Sequence, residues 1–97
     1  MQSLDEIKKS LINQKILLRE KYKINRLGIF GSYVRGEQKK ESDLDVLIDY
    51  EEVPSLITLI ELENHLSNVL GLNVDLVTRK GIKPQLRSNI LEEVVYL

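Results

Sequence analysis

The sequence predicts an α/β (α+β) fold, a small mixed β-sheet flanked by helices. Three observations lead there. Long segments carry apolar residues every third or fourth position, short Val- and Ile-rich runs lie between them, and Gly, Pro and Ser mark the boundaries. The resulting order is helix, strand, strand, helix, strand, helix, which calls for a small sheet with helices packed against it. With 97 residues there is room for one domain, spanning 1–97.

The first helix runs from Ser3 to about Tyr22, with Leu4, Ile7, Leu11 and Leu18 on one face and Ile12 and Ile16 beside them. Ser3 and Glu6 have the form of a capping box. Ile24–Phe30 reads as a strand closed by the Gly31-Ser32 turn, followed by a short helical turn and a polar loop through residue 42. Asp43–Tyr50 is the second strand. Pro54 and Ser55 open a second long helix with a stripe of Leu59, Leu62, Leu66 and Val69, and Gly71 stands where a left-handed cap would end it. Leu72–Thr78 alternates as a third strand. After Arg79-Lys80-Gly81 and Pro84, Leu86, Ile90, Val94 and Leu97 recur at helical spacing and predict a last helix to the end of the chain.

Composition narrows the function classes. Hydrophobic residues make up 42% and charged residues 30%, the balance of a soluble globular protein. A domain this small buries only about 60–65% of its unfolded surface, so its stability margin is thin. The net charge of −1 gives no bulk attraction to nucleic acid or anionic membranes, and neither is an expected direct partner. Without cysteine, disulfides, thiolate metal sites and Cys nucleophiles are excluded. No apolar run reaches the length of a membrane span and the first residues lack a signal peptide's apolar stretch, so the expected location is the cytoplasm.

The informative stretch is residues 31–45. Asp43 and Asp45 are two apart in a strand, so their carboxylates share a face while Leu44 points into the core. Like charges near 4 Å repel by about 1–4 kcal/mol in a watery to partly buried setting, and a hard cation such as Mg²⁺ relieves this. An isolated Asp-x-Asp is more simply a solvated strand entrance. Gly31-Ser32 alters that balance. A glycine closing a strand lets backbone approach a ligand, and the serine offers an N–H and a hydroxyl to an anion. If the first two strands pair antiparallel, this turn and the carboxylates converge at one end of the sheet. Asp75, between Val74 and Leu76, supplies a third carboxylate if the third strand lies parallel to the second. Its other reading is an edge aspartate facing water. Arg35 suits a phosphate or plain solvent.

Gly31-Ser32, ten intervening residues, then Asp43-Leu44-Asp45 resembles the signature of the polymerase β-like nucleotidyltransferases, and Arg35-Gly36 with Ser42 in the spacer resembles the minimal branch of prokaryotes. The resemblance extends to the strand carrying Asp75 and the ending ILEEVVYL. It implies that Asp43, Asp45 and Asp75 form an acidic triad for two Mg²⁺ ions, with ATP as substrate. It also implies that the Gly31-Ser32 turn holds the triphosphate; on residue chemistry Arg35 is a further candidate for nucleotide binding, and Asp75 for base or third ligand. Minimal nucleotidyltransferases of this size are commonly antitoxins that add AMP to a tyrosine of a HEPN-domain ribonuclease toxin, their partner in a hetero-oligomer. Two alternatives stay open: transfer to a small hydroxyl compound such as an antibiotic, and an antitoxin that blocks its toxin by contact alone. Tyr33 suits base stacking or packing beneath the loop. Arg79 and Lys80 suit steering of a triphosphate or a basic surface turn. His65 and the pair Lys39-Lys40 read as surface residues.

Overall fold

The computed structural model describes residues 3–97; the first two residues of the expected 1–97 domain lie outside it. The elements are α1 (Leu4–Tyr22), β1 (Ile24–Phe30), α2 (Ser32–Arg35), β2 (Leu44–Tyr50), α3 (Leu56–Leu70), β3 (Val74–Thr78), a 3₁₀ turn (Arg79–Gly81), α4 (Pro84–Glu93) and β4 (Val95–Tyr96). They build a four-stranded mixed sheet in the order β3-β2-β1-β4. β1 is antiparallel to both β2 and β4, and β2 is parallel to β3 through the α3 crossover.

Local signals set the boundaries. The Ser3 hydroxyl accepts the Glu6 N–H at 3.2 Å and donates to the Glu6 carboxylate at 3.2 Å, so the capping pair closes on itself. Ser55 caps α3 by accepting the Thr58 N–H at 3.1 Å. Gly71 ends that helix in the left-handed region with φ 69° and returns its N–H to Ser67.

Strand alternation then divides the core. Leu44, Val46 and Ile48 face one side of the sheet, where they meet Ile7, Leu11 and Leu18 of α1 and Leu62, Leu66 and Leu70 of α3. Phe30 and Leu47 face the other side, with Ile82 and a thinner cover from Ile90, Leu91 and Val94. The apolar face of α1 is narrower than the sequence predicts, because Ile12 and Ile16 stand 50% and 73% exposed while Tyr22 is buried instead. On α3 the stripe rotates toward Leu70, leaving Val69 41% exposed. His65 is not a free surface residue: its Nε2 lies 2.9 Å from Gln14 Oε1 and ties α3 to α1.

The predicted last helix stops early. α4 ends at Glu93, and Val95–Tyr96 turn back as β4 beside β1. The β-branched pair Val94-Val95 and an aromatic Tyr96 suit a strand, and the open edge of β1 offers the hydrogen bonds. Gly28 makes room for this return, since a Cβ there would meet Val94 Cγ2 at 2.6 Å. Arg26 lies over the Tyr96 ring, 3.9 Å from its centroid. At the opposite rim, α3 lies along β3: Ser67 Oγ accepts the Val74 N–H at 3.1 Å and Glu63 accepts the Leu76 N–H at 3.0 Å. No helix among the described residues is long and apolar enough to cross a membrane.

Candidate active site

The register brings the informative residues to one end of the sheet. Phe30 pairs with Asp45 across the antiparallel β1–β2 ladder, so the turn that follows Phe30 lies beside the start of β2. Asp45 pairs with Asp75 across the parallel β2–β3 ladder, and both side chains leave the sheet on the face away from α1 and α3. Asp43 sits one residue ahead of β2 and is exposed. Three carboxylates and a glycine turn, drawn from 45 residues of chain (31 to 75), meet on that face.

The turn is shaped by the aspartate next to it. Gly31 has φ 85° and ψ −156°, a conformation that side-chain-bearing residues rarely adopt. A Cβ on Gly31 would also run into the Asp45 carboxylate. Glycine is therefore required twice, by the backbone angle and by the carboxylate it shelters. Ser32 starts α2 directly after the turn, half-buried, and Arg35 closes it, exposed.

Electrostatically the site is strained in one direction. Burial pushes the Asp45 carboxyl up, the nearby charges of Asp75 and Asp43 push it further, and its value reaches about 6. Asp75, paired with Asp45 across the β2–β3 ladder, is the nearest source of this repulsion. The Arg35 charge acts the other way and is outweighed. Among the described residues, no three acidic, histidine or cysteine side chains are arranged to hold a metal ion as they stand. The donor set nevertheless fits Mg²⁺: hard carboxylate oxygens, partly desolvated, with more negative charge than the arginine offsets. Asp45 with Asp75 and Asp43 would hold such a cation.

Arg35 meets two carboxylates before it meets any ligand. Its Nε donates to Glu37 at 2.9 Å and its Nη1 to Glu93 at 2.6 Å, and the Glu93 hydrogen bond chiefly raises its pKa. Glu93 also accepts the Gly31 N–H at 2.9 Å. Burial alone would raise Glu93, but the bonds from Arg35 and Gly31 outweigh it and hold the carboxyl below its ordinary value. Neither glutamate was singled out by the sequence. Glu37 had a local signal in its position beside Arg35; Glu93, 62 residues from Gly31, had none.

Other sequence candidates fall outside this cluster. Tyr33 is 5% exposed and packs in the main core, which removes it from base stacking. Arg79 lies 3.8 Å from Asp49 and Lys80 lies over the Tyr50 ring, at the far end of β2 from Asp45. They are a basic surface turn.

Comparison with known proteins places the chain in one family. The family profile described as Nucleotidyltransferase domain matches residues 11–97. A Methanocaldococcus jannaschii protein provisionally named a protein adenylyltransferase is 51% identical, with 100% of each chain covered. Protein adenylyltransferase MntA of Thermococcus cleftensis is 48% identical, over 100% of this chain and 98% of that one. Among solved structures, a toxin-antitoxin with AMP-PNP superposes with a TM-score of 0.76 at 27% identity, covering 91% of this chain and 69% of that chain.

Proposed function

The chain belongs to the nucleotidyltransferase domain family, and on that premise we propose that it transfers AMP from ATP to a protein hydroxyl. The observation that carries the reading is the convergence of the Gly31 turn with Asp45 and Asp75 at one end of the sheet. In the transfer, the acceptor oxygen bonds to the α-phosphorus while the bond from that phosphorus to the β-phosphate's bridging oxygen breaks. Pyrophosphate leaves with its electron pair, and the acceptor's proton passes to Asp75. Bound Mg²⁺, with two ions expected on Asp43, Asp45 and Asp75, supplies charge neutralisation between triphosphate and carboxylates. Ser32 contributes a hydroxyl to the phosphates and Arg35 a guanidinium edge.

The acceptor we propose is a tyrosine of a HEPN-domain ribonuclease toxin, with this chain as the antitoxin, acting in the cytoplasm. Relatives named protein adenylyltransferase, and a similar structure described as a toxin-antitoxin with AMP-PNP, support a protein acceptor and a toxin partner; the HEPN domain, the tyrosine and the cytoplasm rest on the resemblance of the sequence. An exposed apolar face at Val53, Leu56, Ile57 and Ile60 (51–76% exposed) is compatible with a protein partner and also favours contact-only neutralisation as the second reading. Incubation with the helical toxin, ATP and Mg²⁺ should add one or more AMP masses to the toxin by intact-mass spectrometry. Neutralisation without a mass change would replace transfer by contact, and labelling of a small hydroxyl compound alone would change the acceptor class.

A further inference from the structure

The last turn of α4 reaches back across the chain to the first turn of α2. Glu93 divides its carboxylate between two donors: Oε2 accepts the Gly31 N–H at 2.9 Å and Oε1 accepts Arg35 Nη1 at 2.6 Å. Its side chain is 21% exposed, against 49% for Arg35. The Gly31 amide therefore serves Glu93, so a phosphate arriving at this turn is left with Ser32 and Arg35. Arg35 has five N–H protons, of which Glu37 and Glu93 engage two. Among the described residues, no hydrogen-bond partner takes the Nη2 edge.

We propose that Glu93 is a positioning residue for the nucleotide's phosphates, acting through Arg35; this rests on the transfer-site reading above. A guanidinium on a flexible stem, close enough for its charge to act on Asp45, has an obvious alternative, which is to fall onto that carboxylate and occupy its oxygens itself. Glu93 competes for Arg35 through its 2.6 Å bond to Nη1. It anchors Nη1 to the same carboxylate that grips the Gly31 turn, so the arginine and the turn keep one fixed relation. The guanidinium then presents its outer edge to a triphosphate, and the aspartates keep their oxygens for a cation. The low carboxyl pKa of Glu93 agrees with a charge held ready at neutral pH.

The test is a double-substitution cycle read by calorimetry, with AMP-PNP and Mg²⁺ as the probe. Glu93→Gln retains a carbonyl to accept the Gly31 N–H but no longer offers Arg35 a charge. It should bind the probe about ten- to a hundredfold more weakly, the loss expected for one hydrogen bond to a charged group. Arg35→Ala should also weaken binding, and Arg35→Ala with Glu93→Gln should be no weaker than Arg35→Ala alone. If Glu93→Gln does not fold, the cycle is read with Glu93→Asp, whose shorter arm cannot span both partners. Binding by the Glu93 variant as tight as wild type overturns the proposal, and so do losses that multiply in the double variant. Tighter binding would make Glu93 a rival of the phosphates and overturn it too. Failure of the wild type to bind the probe would remove the transfer-site reading together with this one.

Discussion

Asp45 and Glu93 both feel the charge of Arg35, and the fold treats their carboxyls in opposite ways. Asp45 is half-buried at the start of β2 with two other aspartates nearby, and its carboxyl is driven up to about 6. Glu93, at the end of α4, has a backbone N–H and a guanidinium in reach, and its carboxyl is held below the ordinary value. One carboxylate is held by two donors of the protein, and the other is burdened by burial and by its acidic neighbours. A fold that keeps an ill-accommodated charge next to a well-accommodated one indicates where a ligand, and not packing, completes the structure.

The largest effect expected is on the unsatisfied side. Asp45→Asn should lower transferase activity by at least about a hundred- to a thousandfold, as loss of a group stabilising transition-state charge does. In EDTA the same variant should melt at or above the wild-type temperature, because Asn is nearly isosteric and removes a repelling charge. Mg²⁺ with AMP-PNP should stabilise wild type by about 2.7 kcal/mol at a hundredfold excess over Kd, with the variant gaining little. Asp75→Asn should lose activity yet keep more of that stabilisation. A thermal-shift series in both buffers checks all of this, and a clear loss of stability for Asp45→Asn in EDTA would make Asp45 a structural residue.

A smaller effect belongs to the turn between them. Ser32→Ala should weaken nucleotide use by about 1.5–3 kcal/mol, the worth of one hydroxyl contact to a charged group. Gly31→Val should do more harm, since its side chain would meet the Asp45 carboxylate from a backbone with φ 85°. Steady-state ATP turnover measures both, and unchanged rates would reduce the turn to a connection.

The smallest effect is the most direct comparison of the two acids. Asp45 is raised from 3.8 to about 6, so its contribution to stability is full below pH 3.8 and is lost as pH rises through about 6. Glu93 is lowered, so its contribution is present above its ordinary value and lost as pH falls through the folded one. In EDTA, the melting temperature of Asp45→Asn relative to wild type should therefore rise between pH 5 and 7. Glu93→Gln should show no such rise over that interval. Parallel melting-temperature profiles for Asp45→Asn and wild type would mean that Asp45 titrates normally.

How much of this could be read in the sequence follows the distance between partners. Asp43, Leu44 and Asp45 are adjacent, so strand alternation alone assigns their faces, and the Gly31 turn needs only one antiparallel pairing to join them. The α3 crossover placed Asp75 by the same reasoning. Helical spacing misled at the end, because Val94 and Leu97 continue the pattern of Ile90 while the open edge of β1 claims Val95 and Tyr96. It also overstated α1, where Ile12 and Ile16 fit the period but lie past the limit of the covered face. Glu93 was illegible, since nothing local distinguishes it from Glu92 beside it.

The rim of the sheet at β3 bears on how any partner can attach. Glu63 and Ser67 take the outward amides of Leu76 and Val74, so an incoming extended segment would find those donors already engaged. The opposite rim, β4, is two residues long. It covers β1 only at Gly28 and Ile29, so the β3 rim is the better protected against edge-to-edge pairing. A partner meeting the β3 rim would find side chains of α3 where it would otherwise find free backbone donors.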